Sequence, residues 1–403
     1  MRTDRAWAEG GAGAAAALAS PREPAAGAGA RERQAPGGGV VALLLRDFAG
    51  GGAERALINL ANGLAELGVA ADLVVLNDAG PFRRYVGPGV RVVALQSVQK
   101  GPLTGLAAAK LVTYLRHRKP ARLISTLEAL TLAAFVAHLL VGRRRDLVIR
   151  VATTFDREPR PWLRRLLVPL VYRWHPGVFV ANSAASAANL RQHVPLDAER
   201  LHVIYNAVDF EATQRLSTGE PEHGVPFGGE GRFILFAGRL TPAKRLDNLL
   251  RAFACLDAPD VKLVILGEGP LRQQLLQLID ELGLQERVWL PGFTVNPYAY
   301  MSRAAAFVLT SDYEGLPTVL IEALACGCPV VSTDCVSGPR EVLEGGRWGE
   351  LVPVGDVGAL AAAIRQTLAS PLPADVLRER ARRFSVQAAA ESYYRLCFPS
   401  PGA

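Results

Sequence analysis

The stretch that decides the fold is Ser311-Asp312-Tyr313-Glu314-Gly315-Leu316-Pro317, followed after four residues by Glu322-Ala323-Leu324-Ala325-Cys326-Gly327-Cys328-Pro329. It sets two carboxylates eight positions apart. An apolar strand pattern at 305–309 precedes it. Pro317 stands where a first helical residue would, and Gly327 where a helix would close. Glu314 is therefore expected at a strand's carboxyl end, just before a helix, and Glu322 about two turns along that helix. Free backbone N–H groups at such a helix start favour phosphate. The pattern suits a phosphorylated, hydroxyl-rich ligand. The plainer alternative is a solvated helix with two unrelated acids.

Working outward, the same alternation of strand and helix fills the chain. Downstream of residue 206, strand patterns fall at 233–237, 261–266, 288–290, 306–309 and 329–332. Helices are expected to begin near Leu246, Leu271, Pro297 and Pro317, and a last amphipathic helix covers about 385–397. Upstream, a strand at 40–45, a glycine loop at 47–52, a helix at 53–67 stopped by Gly68 and a strand at 71–76 make one βαβ unit. Further strands are expected at 90–95, 123–126, 147–151 and 178–181. The pattern breaks near Tyr205, and the polar stretch 217–232 reads as a linker or surface loop. The chain thus divides into a disordered extension or misassigned start (1–39), two doubly wound α/β domains (40–205 and 206–384), and a final helix and tail (385–403). In such sheets, ligands bind beyond the carboxyl ends of the strands.

The stretch around Glu314 and Glu322 resembles the E-x7-E signature of retaining glycosyltransferases of family 4, which have the GT-B fold. The resemblance covers about residues 40–398. It implies two Rossmann-like domains facing across a cleft, with the last helix crossing back to the first domain. It also implies that Glu314 approaches the donor sugar and Glu322 binds the ribose of the nucleotide; the backbone at Gly315 and Leu316, at the helix start, is expected to help neutralise the diphosphate.

Three further segments fit this reading. Gly238-Arg239-Leu240-Thr241-Pro242-Ala243-Lys244 follows the first strand of the second domain. A guanidinium fork and an ammonium five residues apart can converge on one diphosphate, and the segment resembles the family's element that stabilises the leaving group. Alone, it is equally two solvated charges. Gly267-Glu268-Gly269-Pro270 resembles a turn lining the donor side, and Pro291-Gly292-Phe293 a segment near the nucleobase. Gly50-Gly51-Gly52-Ala53-Glu54-Arg55 is not a dinucleotide fingerprint. It resembles a G-G-x-E-R element whose glycines, Gly51 and Gly52, border the scissile bond. One departure concerns the His that many members carry in the first domain. The corresponding stretch, Arg150 to Asp156, has none; Thr153, Thr154 or Asp156 are the candidate replacements, and Glu128 is a candidate for holding the acceptor.

Composition limits the partners. Residues 40–205 carry a net charge of +11 and residues 206–403 a net charge of −5. An anionic partner is expected for the first half only. No nucleic-acid motif is visible, so an anionic membrane surface or lipid-phosphate acceptor is favoured over nucleic acid. Arg143-Arg144-Arg145 and the mixed basic, aromatic and aliphatic stretch from Arg160 to Trp174 suit such a surface. No apolar run is long enough to span a bilayer. The five cysteines lack paired C-x2-C spacing, and a reducing cytoplasm, at the inner face of the membrane, is expected. No D-x-D sequence is present, and no metal or other cofactor is expected. With the basic first half, the resemblance implies transfer of a sugar from a nucleotide sugar, a UDP-sugar first, to a glycan or lipid-linked acceptor in surface polysaccharide synthesis. Two alternatives remain: a nucleotide-sugar hydrolase or epimerase of the same fold, and a non-catalytic membrane-docking subunit.

Overall fold

The computed structural model describes residues 39–96, 105–152, 162–224, 226–229 and 231–399. The first sheet and its helices comprise β1 (Val40–Leu45), α1 (Gly52–Glu66), β2 (Ala70–Asn77), β3 (Val90–Gln96), α2 (Gly105–Arg118), β4 (Arg122–Ser125), α3 (Glu128–Leu140), β5 (Leu147–Val151), α4 (Trp162–Trp174), β6 (Val178–Ala181), α5 (Ala184–His193) and β7 (Leu201–Val203). The second comprises α6 (Phe210–Ser217), β8 (Arg232–Ala237), α7 (Leu246–Ala254), β9 (Val261–Leu266), α8 (Arg272–Glu281), β10 (Val288–Gly292), α9 (Tyr298–Met301), β11 (Ala306–Leu309), α10 (Thr318–Cys326), β12 (Val330–Thr333), α11 (Pro339–Val342), β13 (Glu350–Val352), α12 (Val357–Ala369) and α13 (Ala374–Arg382). A last helix, α14 (Val386–Cys397), follows.

The strand orders are β3-β2-β1-β4-β5-β6-β7 and β10-β9-β8-β11-β12-β13. All pairings within both sheets are parallel. In each sheet the order reverses direction beside the first strand, and there the crossovers leave a crevice at the carboxyl ends. Near-continuous apolar strands such as Val41 to Leu45 and Leu263 to Leu266 are buried on both faces, as helices on both sides of a parallel sheet require.

The arrangement is the GT-B one expected from the resemblance. Helix α14 packs on α1 and buries Ala389, Ala390, Tyr393 and Cys397 in the first domain's core. Gly63 makes that packing close: a Cβ there would meet Val386 Cγ1 at 2.6 Å. The chain crosses between domains twice, side by side. Val208 N–H donates to the Phe384 carbonyl at 2.9 Å, and Val208 bridges Ser385 in parallel.

Two local expectations are corrected. Pro317 caps α10 from outside rather than opening it, with Thr318 the first helical residue. Glu322 therefore lies little more than one turn into the helix, not two. Gly327 does close that helix, in the left-handed region at φ 77°. The short edge strands β7 and β13 and the helices α11 to α13 were not anticipated; three-residue strands carry too little alternation to be seen in sequence.

Candidate active site

The cleft between the two sheets has a volume of about 1460 Å³. It brings together Gly51, Gly52 and Glu128 from the first domain with Gly238, Arg239, Lys244, Gly267, Phe293, Glu314, Gly315, Leu316 and Glu322 from the second. Gly292 supports this wall from behind: its carbonyl accepts from Gly267 N–H at 2.8 Å, while Gly238 N–H donates to the Leu266 carbonyl at 3.0 Å. Thr153, Thr154 and Asp156 lie outside the described residues, so the candidates for the replaced histidine have no place in this description.

Hydroxyl groups build the loop that carries Glu314. Thr310 Oγ1 donates to the Lys244 carbonyl and Thr333 Oγ1 to the Ser311 carbonyl, each at 2.7 Å. Ser337 Oγ lies 2.6 Å from the Glu314 carbonyl and 2.9 Å from that of Gly315. On this frame, Glu314 Oε1 accepts from Lys244 Nζ at 2.5 Å and from Ser311 Oγ at 2.6 Å. Lys244 is delivered by a single left-handed residue, Arg245 (φ 47°), whose guanidinium reaches Asp312 at 3.3 Å and Asp247 at 3.1 Å. Arg239 is exposed at the cleft. Glu54 stands close enough to feel it: burial raises that carboxyl's pKa, and the Arg239 cation acts in the lowering direction.

Three polar networks are among the contacts that join the domains around this loop. Glu341, on α11, accepts from the backbone N–H groups of Ala184 and Ala185 at 2.8 Å each, and so supplies a carboxylate to the start of α5. Arg150, buried at the cleft, donates to Thr126 Oγ1 at 2.8 Å and to Asn206 Oδ1. Asn206 in turn donates to the Leu316 carbonyl and to Thr318 Oγ1, both at 3.3 Å. The third runs from Arg55 through Tyr298 to Glu322. Arg55 Nη1 donates to Tyr298 Oη at 3.0 Å, and Tyr298 Oη donates to Glu322 Oε1 at 2.9 Å.

Arg55 and Arg150 stand inside motifs visible in the sequence without a role marked there, and nothing in the sequence points to Tyr298 or Glu341. Only the G-G-x-E-R pattern hinted at Arg55, because its partner is 243 residues away. His223 Nε2 lies 2.8 Å from the Phe293 carbonyl, in the segment expected near the nucleobase.

Comparison with known proteins agrees with this architecture. The family described as Glycosyltransferase Family 4 matches residues 50–212, and that described as Glycosyl transferases group 1 matches residues 223–384. The chain therefore belongs to the group 1, family 4 glycosyltransferases of GT-B fold. It is 35% identical over 234 residues to an N-acetylgalactosamine-N,N'-diacetylbacillosaminyl-diphospho-undecaprenol 4-alpha-N-acetylgalactosaminyltransferase of Campylobacter jejuni, a match covering 57% of this chain and 62% of that protein. It is 34% identical over 180 residues to the lipopolysaccharide core biosynthesis glycosyltransferase LpsD of Rhizobium meliloti, covering 42% of this chain and 48% of that one. Each match thus spans less than two thirds of the relative. The crystal structure of Anabaena Alr3699/HepE in complex with UDP-glucose superposes with a TM-score of 0.75 at 23% identity, over 89% of this chain and 98% of that chain.

Proposed function

We propose that the protein is a retaining, metal-independent glycosyltransferase that moves a sugar from a nucleotide sugar, a UDP-sugar first, to a membrane-associated glycan or lipid-linked acceptor. The observation that carries this reading is the convergence of Glu314, Lys244, Arg239 and Glu322 on one interdomain cleft. The diphosphate sits between Arg239, Lys244 and the backbone at Gly315 and Leu316. An ammonium has three donors; Lys244 uses one on Glu314 and keeps two for phosphate oxygens. Glu322 accepts from the ribose hydroxyls, and Glu314 orients the sugar and stabilises its developing positive charge. The acceptor hydroxyl attacks from the face the diphosphate leaves. The bond from the anomeric carbon to the phosphate oxygen breaks, and the bond to the acceptor oxygen forms. The acceptor's proton passes to the departing phosphate oxygen. No protein base is needed, which suits a cleft whose described lining holds no histidine. Positioning and fixed charge supply most of the rate.

The acceptor side is supported by the outer face of the first domain. Val136, Leu139 and Leu140 of α3 and Leu167, Leu170 and Trp174 of α4 are exposed, and the two helices pack together. Arg144, Arg145 and Arg173 lie exposed beside them. An apolar strip flanked by cations fits an anionic bilayer, each cation adding about 1 kcal/mol. Among the described residues no helix is long and apolar enough to cross a membrane. The name of the Campylobacter relative, which acts on a diphospho-undecaprenol, points the same way.

Thermal shift with a panel of nucleotides and nucleotide sugars tests the donor site. Saturation at a hundred times the dissociation constant adds about 2.7 kcal/mol, so UDP compounds should raise the melting temperature without added metal. Glu314→Gln should keep that shift and lose turnover; equal turnover in variant and wild type removes Glu314 from the mechanism.

A further inference from the structure

Arg55 is a cation from the first domain sealed inside a box made by both domains. Its guanidinium carbon lies 4.2 Å from the Phe82 ring centre, 4.4 Å from that of Tyr85 and 5.5 Å from that of Tyr298. Arg55 retains 9% of its exposure and Tyr298 3%. A guanidinium so deep is costly unless a charge answers it. The answering charge is Glu322, itself 7% exposed, and one phenol hydroxyl stands between them. Tyr298 has one proton to give and gives it to Glu322 Oε1, because Arg55 has no acceptor capacity and must be the donor on the other side. Glu322 Oε1 thus accepts from Tyr298, and the carboxylate keeps acceptor capacity toward the cleft that the residue lines.

The path has a second feature. Arg55 sits in the first turn of α1, directly after Gly50 to Gly52, the loop that borders the cleft on the first-domain side. Tyr85, from the same box, donates to the Val295 carbonyl of the second domain at 3.0 Å. The loop facing the acceptor and the acid facing the nucleotide are therefore fastened to one buried cation.

We propose that Arg55 is a positioning residue for donor binding: reaching across the domain interface through Tyr298, it orients Glu322 and keeps its carboxylate charged so that it can accept from the ribose. This rests on the reading of Glu322 as the ribose acceptor given above. Burial raises the pKa of Glu322, and Arg55 and Tyr298 oppose that rise. The other titratable group facing it, Cys326 one turn on, has its own pKa raised by burial first and then by Glu322, and stays neutral. The sign follows. Nucleotide binding needs the ionised carboxylate, so affinity falls as pH drops through the Glu322 pKa. Removing the cation moves that midpoint up.

The test is calorimetric binding of UDP, with GDP in parallel, from pH 5 to pH 9. Arg55→Met keeps the stem in the aromatic box and removes the charge. A midpoint raised by about one pH unit weakens binding about tenfold below both midpoints and hardly at all above them. Arg55→Lys should restore most of the profile. Tyr298→Phe, which removes one oxygen and no charge, should move the midpoint the same way by less, and it decides the matter if Arg55→Met does not fold. A residue that merely held the domains together would weaken binding equally at every pH; an unmoved midpoint in Arg55→Met and Tyr298→Phe overturns the proposal. Glu322→Gln separates the two layers. If it loses affinity and flattens the profile while the Arg55 variants leave the midpoint in place, the ribose assignment stands and the role of Arg55 falls. If it binds like wild type, both fall.

Discussion

Gly315 lies where the two domains come closest, and a single methyl group there should keep them apart. A Cβ on Gly315 would lie 1.7 Å from the Ala152 carbonyl oxygen and 2.8 Å from Asn182 Nδ2, both on the first domain. Its backbone is not in the left-handed region, so alanine is excluded by space alone. Contacts below 3.0 Å are not tolerated, so the carbonyl must retreat by about 1.3 Å, from 1.7 to 3.0 Å. Ala152 follows β5 and Asn182 follows β6, and the Asn182 amide donates to the Ala152 carbonyl at 3.1 Å. The two strand ends move together, and the first domain swings outward as a body. Overpacking of this kind costs about 1–3 kcal/mol if the domains stay shut. Because they can open, most of the effect should appear as misplacement of acceptor against donor. A shift of about 1 Å costs about a hundredfold in rate, or about 2.7 kcal/mol of activation free energy. The assay is turnover of Gly315→Ala under donor saturation, with the melting temperature of the unliganded protein measured alongside. Expected is a loss of about two orders of magnitude in kcat with a small change in melting temperature. Wild-type turnover would refute the argument, since the methyl group would then have found room without parting the domains.

Two other outcomes follow. Arg239→Ala should weaken UDP binding about tenfold, the scale of one charge-assisted hydrogen bond, in calorimetry; unchanged affinity would take Arg239 off the diphosphate. Leu140→Asp with Trp174→Asp should abolish sedimentation with vesicles rich in anionic lipid and leave the melting temperature within the small range usual for surface changes; undiminished sedimentation would move the membrane contact elsewhere.

How much of this was legible in the sequence depends on distance along the chain. The strands read clearly because each is a short unbroken apolar run buried on both faces, as at Val41 to Leu45. Glu314 and Glu322 were legible because eight residues, one loop and one helix relate them. Lys244 and Arg239 were legible for the same reason. The pairing of Lys244 with Glu314 was not, since it depends on Thr310 and Thr333 anchoring two loops from different crossovers. Arg55, Tyr298 and Glu341 were hidden more deeply. Each acts across the interface, and an arginine after a glycine loop looks the same whether it faces water or a tyrosine of the other domain. Glu322 lies four residues after Thr318, little more than one turn in, and starting the helix at Pro317 instead shifts it by only one residue, so the two-turn expectation overstated the depth.

The return of α14 to the first domain has a consequence for synthesis. Ala389, Ala390, Tyr393 and Cys397 fill a face of the first domain's core against α1, yet they are among the last described residues to be made. The second domain has its own core of residues between Val208 and Phe384 and can close without the final helix. The first domain, begun about 350 residues before the final helix, must wait with an apolar groove along α1 open to water. The order of completion is therefore the reverse of the order of emergence, and a chain truncated before residue 386 would carry a finished second domain and an unfinished first domain.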